Sequence, residues 1–342
     1  MRPFTSIFLA ATLLTSQISL HAQSAPSKSS LLILSKQDHT LAIVDSATLQ
    51  IIAKAPVGLD PHEVVASTDG ATAYVSNYGG GAYNTLAVID LLTHQPLPSI
   101  DLGPLHGPHG LAFAGGKPWF TAETSKIIGR YDPVTQKVDW LLGTGQGRTH
   151  MIDVSPDQKR IITINVSSAT VSIFTLDPVA MPGGPQQGGQ PHTDWNQTLI
   201  PVGRGAEGFD ISPDGKELWV SNAQDGTISV IDLPAKKLLL TLAADVAGAN
   251  RLKFTPDGHH VLVSTLSGPN LTILDPTTRK VTQRIPIGHG AAGILVDPNG
   301  SRAFIACTPD NYVVVLDLQT FKVTGHIDAG LQPDGMAWAT RP

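Results

Sequence analysis

Three histidines stand at equivalent points of a repeating pattern. His62, His109 and His150 lie 47 and 41 residues apart, and each opens a run in which apolar side chains alternate with others: HEVVAS, HGLAFA and HMIDVS. Further along the chain the same point is taken by Glu207 (EGFDIS), Asn250 (NRLKFT), Ala292 (AGILVD) and Asp334 (DGMAWA). Three imidazoles and a carboxylate, brought together, form a donor set for Zn²⁺ or a similar divalent ion, with a position left for water or substrate. His62, His109, His150 and Glu207 are the expected metal ligands on that reading. Neutral His, Asn and carboxylate groups can also hold a polar ligand by hydrogen bonds alone, or simply order water. Both readings stay open, because no histidine here sits in a short metal-binding motif. Ala292 at the same point shows that the pattern does not need a histidine for packing.

The pattern itself says what positions these residues. Each copy has an alternating run, then Asp-Gly or a substitute, then a second alternating run, as in HEVVASTDGATAYVSN and EGFDISPDGKELWVSN. Alternation over five or six positions means a strand with one side against a core. Asp69-Gly70, Asp214-Gly215, Asp257-Gly258 and Asn299-Gly300 supply the turn, since Gly accepts a positive φ and Asp or Asn tolerates one. A third run ending in Asp follows (LAVID, ISVID, LTILD, VVVLD), and then a fourth. The repeated Asp90, Asp232, Asp275 and Asp317 are expected to tie turns through the backbone. Four antiparallel strands per copy make one blade of a β-propeller. Six complete copies and a seventh begun at Asp334 predict an all-β, seven-bladed propeller over residues 31–342. The strands missing from the last copy are found at residues 31–57, so the N- and C-terminal strands should share one blade and leave the ring without an open edge. One long spacing is explained by an insertion at residues 177–195, rich in Gly, Pro and Gln and expected as a surface loop.

In such a ring the first strand of each blade runs away from one mouth of the central channel and the second returns to it. The residues opening strand one and those closing strand two should therefore meet. The expected ligand-binding collar is His62, His109, His150, Glu207, Asn250 and Asp334, with Asn77, Asn165 and Asn222 from the closing position. Glu123, Thr265, Cys307 and about Lys36 complete that second set.

The wording DGATAYVSN at 69–77 and DGKELWVSN at 214–222 resembles the YVTN-repeat family of bacterial seven-bladed propellers, which covers the whole repeat region. Within it, one blade carries Pro108-His109-Gly110, then WFTAE at 119–123, then Ile127-Ile128-Gly129-Arg130. This stretch, 108–130, resembles a blade of virginiamycin B lyase, a propeller enzyme that opens a cyclic lactone by elimination with a divalent metal. The resemblance implies His109 as general base and Glu123 as a metal-associated partner. Here Ala122 is inserted between Thr121 and Glu123. A one-residue slip turns a strand side chain to the opposite face, so Glu123 should leave the channel unless the strand has already ended.

The remaining features narrow the class. The net charge is −5 and there is no run of Lys or Arg, which argues against nucleic acid or an anionic membrane surface as partner. Arg2, a mostly apolar stretch at 7–20 and Ala22 read as a signal peptide of residues 1–22, cleaved after Ala22, with a disordered link at 23–30. The mature chain is expected in the periplasm or outside the cell, as a monomer without a transmembrane segment. Cys307, the one cysteine, rules out an internal disulfide and reads as a buried small apolar residue. No phosphate loop, dinucleotide fingerprint, nucleophile elbow or haem-attachment motif is present. The expected function is a binding scaffold for a small molecule or partner protein at the channel mouth, or a metal-dependent lyase or lactonase at the same place.

Overall fold

The structure, a computed structural model, describes residues 29–179 and 192–341. The signal peptide and most of the link expected at 23–30 lie outside them. Ser29 and Ser30 do not belong to a link: they begin the strand Ser29–Ser35, paired with Ala339 and Thr340 on one side and, at Ser30, with Asp45 on the other.

Seven four-stranded antiparallel sheets form a ring. Blade 1 joins the chain ends in the order Pro333–Thr340, Ser29–Ser35, Thr40–Asp45, Ile51–Pro56. Blades 2 to 7 follow at 61–101, 108–143, 149–201, 206–243, 249–286 and 291–327. The innermost strand of each blade touches that of the next. Both faces of a blade are thereby buried, which is why the second strands read as nearly continuous apolar runs. In LLILS the odd and even side chains part company. Leu31 and Ile33 pack on Phe304 and Val313 of blade 7, whereas Leu32 and Leu34 pack on Val64 and Val75 of blade 2. One apolar core of this kind lies between each neighbouring pair of blades.

The turn chemistry follows the residue types. Gly70, Gly215, Gly258 and Gly300 have φ of 65–74°. Asp90 Oδ1 accepts from the backbone N–H of Leu92 and Thr93, and Asp275 and Asp317 do the same in their blades. The insertion begins later than its composition suggests. Pro178 pairs with Thr193 and Asp177 with Asp194, extending the hairpin, and residues 180–191 lie outside those described. Cys307 is fully buried, and that burial pushes its thiol up to about 12. Among the described residues no helix is long and apolar enough to cross a membrane.

Near its start each inner strand slips register against its neighbour. Pro61 pairs with Asn77 but Val64 with Val75, and Thr149 with Asn165 but Ile152 with Thr163. Such bulges re-aim side chains. The second bulged residue is Gly110, Gly208, Gly293 or Gly335 in four blades and Glu63, Met151 or Arg251 in the other three. A Cβ on any of the four glycines would lie 2.2–2.4 Å from a carbonyl oxygen of the next blade's inner strand. The glycines let the inner strands close to that distance.

Candidate functional site at the head of the inner strands

The first bulged residue of each blade is the repeat point at which the three histidines stand. The extra residue frees these side chains from strand alternation, and they converge on a cavity of about 360 Å³ to which every blade contributes. A hydroxyl near the end of the second strand pins the bulge. Thr121 Oγ1 accepts from Gly110 N–H (2.9 Å) and donates to the His150 carbonyl of the next blade (2.6 Å). Ser76 links Glu63 N–H to the His109 carbonyl, and Ser264 links Arg251 N–H to the Ala292 carbonyl. The backbone that carries two of the histidines is thus held by the blade before.

Of the expected closing set, Glu123 and Lys36 reach the cavity region, whereas the strand-ending asparagines stop one residue short. Strand two ends at Asn77, Ala122 and Asn165. In blade 3 the next residue is Glu123. Its strand has ended, so the inserted Ala122 takes the buried strand position and Glu123 turns inward. Tyr78 and Lys36 hold the same place in blades 2 and 1.

Asn77, Asn165 and Asn222 do not line the cavity, and that expectation is corrected. All three are buried, and each spends its amide within the fold: Asn77 on the carbonyls of Val57 and Leu59, Asn165 on Thr170 and Ser172, Asn222 on Thr227 and Ser229. They hold turns and third strands. Asn77 clamps backbone carbonyls, Asn165 and Asn222 bind hydroxyls of the third strand, and the register places all three one residue short of the cavity.

His150 is the centre of the charged network. Its Nδ1 is hydrogen-bonded to Glu123 Oε1, and its Nε2 lies 3.1 Å from Glu207 Oε2. Burial opposes charge on this ring, but the two carboxylates outweigh it and raise its pKa. Burial likewise opposes charge on Glu123 and Glu207. Their bonds to His150, with Arg148 beside both, prevail and hold Glu207 down at about 2 and Glu123 below its ordinary value. Arg148 reaches Glu123 at 3.5 Å and Glu207 at 3.3 Å. Tyr78 donates its hydroxyl to Glu123 Oε2 at 2.6 Å, and burial together with that carboxylate pushes the phenol up to about 12.

His109 differs. Its ring lies on that of His150, centroids 3.8 Å apart, and it is 3% exposed. Burial first, then the neighbouring His150, His62 and arginines, drive its pKa well below the ordinary value, so the ring is neutral. Its Nδ1 is buried without a hydrogen-bond partner among the described residues. An orphaned buried nitrogen costs about 1–3 kcal/mol unless something binds it.

His62 sits at the rim, with Nε2 2.9 Å from Lys36 Nζ and 3.2 Å from Asp60, whose carboxyl this bond chiefly holds at about 2. Asp334 lies 3.4 Å from Lys36, and Asn250 Oδ1 accepts from Arg251. The metal quartet anticipated from the repeat is not what gathers. Among the described residues, the group whose ligand atoms lie within 4.8 Å of one another is His109, Glu123 and His150. Lys36 and Tyr78 also enter the site. The signal for Tyr78 was its place directly after the strand-ending Asn.

No protein-family model matches the sequence, and no curated protein matches it. Solved structures match throughout the ring. Hydrazine synthase of Kuenenia stuttgartiensis is 19% identical, with a TM-score of 0.69, over 84% of this chain and 92% of that one. A candidate 6-phosphogluconolactonase from Bacteroides fragilis is 15% identical with a TM-score of 0.72, over 92% and 99%. The dihydro-heme d1 dehydrogenase NirN is 15% identical with a TM-score of 0.62, over 90% and 74%. At these identities the likeness carries the fold alone.

Proposed function

We propose that this propeller is exported and binds a small polar ligand at the mouth of its channel, around a divalent cation held by His109, Glu123 and His150. The observation that carries the reading is the buried, unpartnered Nδ1 of His109 beside the Glu123–His150 pair. Two imidazoles and one carboxylate suit Zn²⁺ or a related transition ion and leave a position open for a ligand oxygen. His62, Asn250 and Asp334 offer hydrogen bonds to the rest of that ligand. Ion entry requires His150 to release a proton now shared with carboxylates, so binding is coupled to pH. The test is calorimetric titration of Zn²⁺ into the untagged mature chain. One site per chain is expected, weakening as pH falls through the raised pKa of His150 and lost in His109→Ala and Glu123→Gln. Absence of a saturable site at neutral pH overturns the metal.

A second reading rests on the inward turn of Glu123. With Glu123 beside a neutral His109, the pair has the residue types that the virginiamycin B lyase resemblance assigns to base and metal-associated partner. A neutral imidazole can take a proton α to a carbonyl, and a cation would stabilise the enolate. Turnover of a cyclic ester, lost in His109→Ala, would support this reading; the metal site without any such turnover leaves the binding protein.

A further inference from the structure

A second chamber lies below the site. Arg251 of blade 6 reaches across to Glu63 of blade 2, and this ion pair separates the metal pocket above from a cavity of about 360 Å³ within the ring. Arg251 borders both spaces and is 8% exposed, so the pair acts as a partition. Below it the wall is largely apolar, with Phe209 and Trp338 as rings and Met151 and Met336 as adaptable thioethers.

Three further charged groups face this chamber. Lys253 Nζ lies 3.2 Å from Asp210, which also accepts from Phe254 N–H at 2.8 Å. Among the described residues Asp153 has one ion pair, to Arg160 at 3.9 Å, and that arginine is not part of the wall. With Glu63 matched by Arg251 and Asp210 by Lys253, Asp153 is the surplus carboxylate. Burial raises its pKa, and Arg160 and Lys253 offset this only in part. The side chains of Asp153 and Lys253 remain 38% and 35% exposed, so the chamber opens to solvent on the side away from the metal pocket.

We infer that this chamber is a separate binding site for an amphiphilic organic cation, an aryl- or alkylammonium whose charge pairs with Asp153 and whose apolar body lies against Phe209 and Trp338. The volume is in the range of small-ligand pockets. An ammonium gives Asp153 a close partner in place of a distant one, and the rings favour both apolar contact and the adjacent positive charge.

Benzylammonium and its neutral analogue benzyl alcohol distinguish charge recognition from plain burial. Both are titrated into the full mature chain with chelator present, so that the metal pocket plays no part, and read by calorimetry and tryptophan fluorescence. Benzylammonium should bind with a Kd on the order of 1 mM or below, and the alcohol about tenfold more weakly. Asp153→Asn should bring the two within about twofold of each other. Lys253→Gln, which removes a competing cation, should tighten benzylammonium. The proposal is overturned if no saturable binding is found, if the alcohol binds as well as the amine, if Asp153→Asn keeps the preference, or if Lys253→Gln weakens it. Because zinc titration reads the other chamber, failure here leaves the metal reading standing, and the converse holds.

Discussion

Gly110→Ala tests how the ring holds its site. A Cβ at Gly110 would stand 2.4 Å from the His150 carbonyl oxygen, 2.7 Å from Met151 Cα and 3.0 Å from Ile152 N. These atoms are backbone of the neighbouring blade, so no rotamer change relieves the overlap. The inner strand of blade 4 must move by several tenths of an ångström. That carbonyl is also the acceptor for Thr121, a buried bond of 2.6 Å. Overpacking costs about 1–3 kcal/mol, and a weakened buried hydrogen bond adds about 1. Removing a glycine from the unfolded chain returns about 0.4–1. The net expectation is a loss of about 2–3 kcal/mol, which at m near 3 kcal/mol per molar moves a urea midpoint down by roughly 1 M. Gly143→Ala is the control, since a Cβ there meets nothing within 4 Å. It should be neutral or slightly stabilising. If both variants unfold with the wild type, or if Gly143→Ala costs as much as Gly110→Ala, then close approach of the inner strands is not what the glycines provide.

Two more outcomes follow from the geometry. Glu207, depressed to about 2 from an ordinary 4.5, contributes stability that is present above pH 4.5 and lost as pH falls toward 2; in chelated protein the stability gap between wild type and Glu207→Gln should be about 3 kcal/mol near pH 5.5 and close to zero near pH 2, and a gap that stays constant across a urea–pH series would refute the assignment. Removing residues 333–342 takes away the strand paired with Ser29–Ser35 and the Trp338 indole bond to the Val296 carbonyl; at ~0.5–1.5 kcal/mol per hydrogen bond the loss should be several kcal/mol, and an unchanged melting temperature would contradict closure by the shared blade.

The blades were legible because the repeat writes itself in period-two alternation and in Asp-Gly turns, and because the broken seventh copy had its complement at the other end. The site was legible only in part. His62, His109, His150, Glu207, Asn250 and Asp334 share one repeat position, and the bulge brings them to one cavity. Asn77, Asn165 and Asn222 misled because a strand end was located to within one residue, and at a strand end one residue separates a clamp inside the blade from a cavity group. Glu123 was legible as a residue but not as an orientation, which depended on where the strand stopped. The charge state of the imidazoles lay beyond sequence, since His109 and His150 occupy the same repeat position and differ only in what faces them.

The inner ring alternates small and large at its second bulged position: Gly335, Glu63, Gly110, Met151, Gly208, Arg251, Gly293. Each large residue sits between two glycines. Seven is odd, so strict alternation cannot be satisfied all the way round, and somewhere two like members must meet. They meet as Gly293 and Gly335, between blade 7 and the blade that unites the chain ends. The parity fault therefore coincides with the seam. It is written in side chains rather than in the chain break, so joining the termini and opening the ring elsewhere would leave it where it is. Successive blades are consequently not exchangeable, although their repeats look alike: a copy moved by one place would set large against large, and only a shift by two preserves the order away from the seam.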